Sequence, residues 1–288
     1  MLIQIFFVAV LFSLSSLFCK LFSLKYGENN NSASVYTIFT AIIIILMTFL
    51  LSGFTFNPTF LTFIIALVCA VFFFLFNISF IKAAQIGNFS FLIIAQMFGG
   101  MIIPILLSTF IFEEALTFFH ILGIIGMLIS FVVINLKSIT LKKVKISYYI
   151  WCLIHFISNG IFSLMVKVQQ TVMAGAERSE LIILINFYCI IIAFLFLLFN
   201  NKKKIMTVFK MNMAAFTFVF LSGVIITAAQ NYNYYLISII PAAEIFAPLQ
   251  GGLLILSTLF SLFIFKEKID LYKIIGVLIS FVSILFFI

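Results

Sequence analysis

The chain has 288 residues, 65% of them hydrophobic and 8% charged, whereas soluble domains run at roughly 25% charged. Its 41 Phe exceed what one soluble core absorbs, and apolar stretches along the whole length exclude a soluble domain with a single anchor. The formal charge of +8 would suggest nucleic acid in a soluble protein. Here the lysines fall between apolar runs as orientation signals and headgroup contacts, so no nucleic-acid partner is expected.

A helix of about 20 apolar residues crosses the roughly 30 Å hydrocarbon core. The first such run covers 2–23. Met1 to Cys19 carry no charge, whereas a cleaved signal peptide needs a positive n-region, so this run reads as a retained helix. The polar turn Gly27-Glu28-Asn29-Asn30-Asn31 precedes a second run at 33–51. Asn57-Pro58 opens a third at 59–81, and 88–111 and 117–136 follow. The longest polar connection, Lys137 to Lys145, divides the chain into halves at 1–140 and 141–288. The second half carries runs at 147–168, 181–199, 213–236, 241–264 and 271–288, with Pro241 where a first helical turn tolerates proline. Cys19, Cys69, Cys152 and Cys189 all lie inside apolar runs and match neither a metal site nor a disulfide framework. Neither cofactor nor metal is implied.

The halves resemble one another. Phe110-Ile-Phe-Glu-Glu114 is echoed by Phe263-Ile-Phe-Lys-Glu267, and nine residues beyond each Glu stands a glycine, Gly123 and Gly276. Gly99-Gly100 precedes the first motif and Gly251-Gly252 the second, while Lys20 and Lys167 stand near the ends of helices one and six. Five is odd, so a second copy runs inverted through the bilayer, the arrangement that gives alternating access in many secondary transporters. The expected fold is therefore an all-α integral membrane protein of ten transmembrane helices as two inverted five-helix repeats. The connections after helices one, three, five, seven and nine hold 14 Lys, and the other face only Lys167 and Arg178. By that bias the termini lie outside the cytoplasm.

Ten helices in a five-plus-five arrangement, paired Glu-x8-Gly segments and Ser13-Leu-Ser-Ser-Leu-Phe-Cys-Lys20 resemble the EamA-like branch of the drug/metabolite transporter superfamily. The resemblance spans essentially the whole chain. It implies export or exchange of a small metabolite or drug-like solute across the cell membrane, often with protons as coupling ion. It also implies a central cavity from helices three, four, eight and nine, and cytoplasmic termini, against the lysine bias. Relatives often carry a Trp in helix one; here the single Trp is Trp151.

Polar side chains inside the spans are the natural site candidates, since each is costly unless paired or lining a cavity. In helix six, Trp151, His155, Asn159 and Ser163 recur every four residues, which suits either a wet solute pathway or hydrogen bonding to a neighbouring helix. His155 is also a candidate proton relay. In helix nine, Glu244 either binds a cation or proton, or sits in the first turn where the helix dipole favours an acid. Pro248 with Gly251 and Gly252 suggests a break near mid-membrane, beside Gln250, with close helix packing as the alternative. Gln96, Gly99 and Gly100 occupy the equivalent region of helix four. Asn77, Gln85 and Asn88 flank its start, Gln230, Asn231 and Asn233 lie toward the end of helix eight, and Asn186 stands alone in helix seven. Glu114 and Glu267 read as helix-start groups, Lys20 and Lys167 as side chains snorkelling to opposite interfaces, and Lys202-Lys203-Lys204 as a loop facing anionic lipid. A membrane-embedded enzyme acting on a lipid-linked substrate would need clustered acids, His or metal ligands, and none is evident. A flippase shares these polar residues and stays open as an alternative.

Overall fold

In hydrocarbon an unpaired peptide group costs several kcal/mol, so each apolar run has to close its hydrogen bonds within one helix. The structure, a computed structural model, describes residues 1–26, 32–86, 89–136, 145–200, 209, 211–263 and 271–287. Asn88, Glu267, the run Lys202-Lys203-Lys204 and most of the Lys137–Lys145 connection lie outside the described residues, as do the side chains of Lys20 and Gln85. The described helices are α1 (Leu2–Tyr26), α2 (Ser32–Leu51), α3 (Phe60–Ile86), α4 (Phe89–Ile111), α5 (Phe118–Asn135), α6 (Ile146–Val172), α7 (Arg178–Asn200), α8 (Met213–Ile239), α9 (Ala242–Phe263) and α10 (Leu271–Leu285). No strand occurs among the described residues. Nine of the ten helices are long and apolar enough to cross a membrane, and α10 is a shorter apolar helix.

Local chemistry sets the helix ends. Thr117 caps α5 by accepting from the His120 N–H at 3.2 Å, and the His120 ring returns the bond to the Thr117 N–H. Asn212 caps α8 through its Oδ1, which accepts from the Ala215 N–H at 2.7 Å. Between α6 and α7 the chain reverses through left-handed backbone at Ala174 (φ 48°) and Gly175 (φ 74°). Several spanning hydroxyls are satisfied within their own helix: Thr40, Thr109, Thr227 and Thr258 each donate to the carbonyl four residues back.

Consecutive helices alternate in direction, so the α2–α3, α4–α5, α6–α7 and α8–α9 connections share one end of the bundle with both termini, here the terminal face. Large apolar side chains such as Ile3, Phe60 and Phe110 point outward along the bundle flanks, as a lipid solvent permits. Helix α9 is the most enclosed: 67% of its span is buried, against 28% for α1, α3 and α5. In the packing, α3 lies on α6 and α7 while α8 lies on α1 and α2; α4 lies on α6 while α9 lies on α1. Helix α2 also meets α7, α4 meets α9, and α5 meets α10.

Small residues make the close crossings. In the α5–α10 seam, Gly123 lies under the Phe287 ring, Gly276 lies against Ile134, and the Ser130 hydroxyl donates to the Gly276 carbonyl at 2.6 Å. Gly251 and Gly252 serve α9 in the same way, the first against Met127 and Ser280, the second against Ala9. This corrects the expectation of a break: α9 runs unbroken through Pro248, Gly251 and Gly252. Neighbouring helices hold it in place, so the one donor that Pro248 lacks does not unwind it.

Candidate functional site

The polar residues of α6 do not share one direction. A step of four residues turns about 40° beyond a full helical turn, so a stripe drawn through Trp151, His155, Asn159, Ser163 and Lys167 winds around the helix. Trp151, His155 and Asn159 face α3 and α4, whereas Lys167 reaches the joint between α8 and α9.

Trp151, partly buried, packs beside Ala83, Leu92, Tyr148 and Cys152. His155 is fully buried between α3 and α4. Its Nδ1 lies 3.0 Å from the Phe76 carbonyl and 3.2 Å from the Ser79 hydroxyl, and its ring stacks on Phe76 at 4.3 Å. On the other edge, Nε2 faces the Gln96 side-chain oxygen at 3.4 Å. The Phe76 carbonyl requires a proton on Nδ1. With Oε1 toward the ring, as here, Nε2 donates; a neutral ring whose one proton sits on Nδ1 instead requires the Gln96 amide turned to present its NH2. Proton state and amide orientation at Gln96 are therefore linked.

One turn along, the Asn159 amide donates to the Gln96 backbone carbonyl at 2.7 Å. Gly100 makes room for it: a Cβ there would sit 2.6 Å from Asn159 Nδ2 and 2.9 Å from Gln250 Nε2. Amides from α6 and α9 thus converge over a glycine of α4. Pro104, also inside α4, has no N–H to give the Gly100 carbonyl. The residue over which the two amides converge is thus also one whose carbonyl lacks the donor four residues on, and the Gln250 amide makes no hydrogen bond to a described side chain or backbone group. Gly99 brings α4 close to α6, since a Cβ there would overlap the Phe156 carbonyl.

The other candidates stand apart from this group. Asn77 donates to the Phe73 carbonyl at 2.9 Å and lines a cavity of about 40 Å³ between α2, α3 and α7. That volume is far below the roughly 300 Å³ at which solute pockets begin. Asn186 is buried and spends its amide on the Ile182 carbonyl of its own helix. In α8, Gln230 Oε1 and Asn233 Oδ1 are buried without a hydrogen-bond partner.

A second cluster closes the terminal face. Glu113 takes left-handed backbone (φ 54°), turning the chain off α4 before Glu114. The Glu114 carboxylate accepts from the Ala242 N–H at 2.6 Å, capping α9, and pairs with Lys167 Nζ at 3.0 Å. Lys167 also donates to the Ile240 carbonyl at 2.7 Å and the Ile237 carbonyl at 3.2 Å. The expected snorkelling of Lys167 is thereby corrected: its side chain is 3% exposed and bound inside the protein. Three anionic or carbonyl oxygens satisfy its three protons, which water at an interface would otherwise do. Glu244, in the first turn of α9 as the dipole reading required, lies 4.0 Å from His120 Nε2.

Across the same face, Glu177 accepts from the Thr59 N–H at 3.0 Å and the Thr59 hydroxyl at 3.1 Å, capping α3. Burial pushes this carboxyl up, but hydrogen bonds from Thr62 and from the Thr59 backbone and hydroxyl outweigh it and hold the group below its ordinary value. Glu180 receives the Asn57 N–H at 3.5 Å. A glutamate from 1–140 therefore caps a helix of 141–288, and a glutamate from 141–288 caps a helix of 1–140. Sequence reading missed this exchange, because neither Thr59 nor Ala242 carries a signal of its partner.

No group of three or more His, Cys, Asp or Glu able to hold a metal occurs among the described residues. No family model matches the chain, and no curated protein does. One solved crystal structure superposes on it with a TM-score of 0.71 at 13% identity, over 99% of this chain and 96% of that one. At such identity the likeness is one of fold alone.

Proposed function

We propose that this chain is a secondary transporter that moves a small metabolite or drug-like solute by alternating access between halves 1–140 and 141–288. The observation that carries the reading is the packing map. Exchanging each helix of one half for its counterpart five further on turns α3–α6 into α8–α1, α4–α6 into α9–α1 and α3–α7 into α8–α2, and returns α2–α7, α4–α9 and α5–α10 to themselves. Two inverted repeats meeting about a pseudo-two-fold axis in the membrane plane give that map. The resemblance to EamA-like drug/metabolite transporters accords with it.

In this reading the solute meets Gln96, Gly100, Asn159 and Gln250, where the two halves face each other, with Trp151, His155 and Gln230 toward the flanks. The terminal face is closed by the Glu114–Lys167 and Glu177–Thr59 contacts, and opening it requires both to part. Glu244, beside His120, is the candidate proton exchanger. The lysine-rich opposite face lies in the cytoplasm by the positive-inside rule, in the membrane bounding the cell.

The test is uptake of a solute panel by purified protein in proteoliposomes under an imposed pH gradient. Saturable, gradient-driven uptake of at least one solute is expected, and Glu244→Gln should remove the pH-gradient dependence while leaving the protein folded. Unchanged coupling in Glu244→Gln excludes that residue as the proton site. Turnover without transport would point to an enzyme.

A further inference from the structure

Arg178 stands between two acids in the sequence and pairs with neither. Glu177 and Glu180 turn to the start of α3, and among the described residues Arg178 has no carboxylate partner. Its guanidinium lies 5.6 Å from the centre of the Tyr235 ring, and its Nε is buried with no acceptor. A cation at a bilayer boundary is costly unless an anion or water meets it. Among the described residues no anion meets this cation.

Beside Arg178 runs an open groove of about 370 Å³ between the end of α2 and one face of α8, lined by Leu51, Ala228, Asn231, Tyr232 and Tyr235. The α8 residues recur at the three- and four-residue spacing of a single helix face. Tyr232 and Tyr235 stack on each other at 6.1 Å, at the depth where aromatic side chains gather near headgroups. The groove faces outward: Leu51 is 67% exposed and Tyr235 41%. Seven-residue steps back along α8 from Tyr235 lead through Ala228 to Leu221, also exposed, so the apolar track continues toward mid-membrane.

We propose that this groove binds an anionic glycerophospholipid of the terminal-face leaflet. Arg178 takes the phosphodiester as a charge-assisted donor. The hydroxyls of Tyr232 and Tyr235 reach the glycerol region, the Asn231 NH2 being held by the Thr227 carbonyl at 3.0 Å, and an acyl chain lies along Ala228 and Leu221. A free soluble anion would use Arg178 but not the apolar track, and the track is why the occupant is a lipid. The site is independent of the transport reading, because it lies on the outer flank of α8, away from Gln96, Asn159 and Gln250.

The experiment is a titration of the detergent-purified full chain with phosphatidylglycerol, phosphatidylcholine or glycerol 3-phosphate, read by thermal unfolding midpoint and by lipid retained in native mass spectrometry. Phosphatidylglycerol is expected to raise the midpoint and to remain bound as one adduct, with phosphatidylcholine weaker and glycerol 3-phosphate without effect. Arg178→Gln should weaken phosphatidylglycerol about fivefold, a single arginine near a headgroup being worth about 1 kcal/mol. Ala228→Trp, which fills the groove at an exposed position and keeps the guanidinium, should abolish the adduct without lowering the lipid-free midpoint. Equal phosphatidylglycerol retention by wild type and both variants overturns the proposal. Glycerol 3-phosphate acting as strongly as the lipid overturns it too, since the site would then be one for a soluble anion.

Discussion

Lys167→Met is expected to lower stability in detergent by about 3–5 kcal/mol, the range for removing one partner of a buried ion pair. Methionine keeps most of the stem volume, so the loss falls on charge and hydrogen bonds. It leaves the Glu114 carboxylate, 18% exposed, without its cation, and the carbonyls of Ile237 and Ile240 without the Lys167 donor. These two carbonyls flank the joint between α8 and α9, the place where the backbone cannot supply its own donors because Pro241 follows. Adding Glu114→Gln should recover a large part of the loss. A glutamine oxygen still accepts from the Ala242 N–H, while the uncompensated charge is gone. The measurement is a double-mutant cycle on denaturant midpoints. A single Lys167→Met variant as stable as wild type would show that the pair contributes nothing.

Gly99→Ala should destabilise by about 1–3 kcal/mol, the cost of overpacking a tight contact. The sign is the informative part. In an ordinary helix interior this substitution stabilises by about 0.8–1 kcal/mol through propensity. At Gly99 the added methyl would overlap the backbone oxygen of Phe156 rather than meet a side chain that can swing away, and a methyl at Gly160 across the seam would sit 2.8 Å from the Gly99 oxygen. Helices α4 and α6 would have to separate, taking the Gln96 carbonyl from the Asn159 amide and Gln96 Oε1 from His155. Gly252→Ala is the comparison: its neighbour is the Ala9 methyl at 3.0 Å, which needs only a small adjustment. Thermal midpoints of the two variants in the same detergent decide between seam and propensity.

Much of the architecture was legible because hydropathy in a bilayer is nearly a direct record of span. The run at 2–23 became Leu2–Tyr26, that at 147–168 became Ile146–Val172, and that at 59–81 became Phe60–Ile86. The added residues fall mostly at helix ends, since apolar composition marks hydrocarbon thickness while the helix continues into the headgroup layer. At Pro248 the close-packing alternative holds rather than the break, because proline reports a missing donor, and whether a helix breaks there depends on neighbours that the local sequence does not name. Lys167 was misread for a related reason. A lysine near a span end snorkels by default, and only tertiary packing brings it Glu114 and two carbonyls. Gln96, Asn159 and Gln250 were each visible as polar residues in apolar runs, but their meeting over Gly100 depends on helix rotation. Asn77 and Asn186 looked alike from sequence, and both spend their amides on carbonyls of their own helices.

Alternating access requires the terminal face to open, and the capping contact between Thr59 and Glu177 joins the halves there. Cysteines at both positions, joined by a short reducible cross-linker, lock that face. Uptake in proteoliposomes, of the solute that the panel identifies, should fall to background on cross-linking and return on reduction, while either single cysteine variant remains insensitive to the reagent. Full uptake with the cross-link in place would contradict a transporter that opens between these two halves.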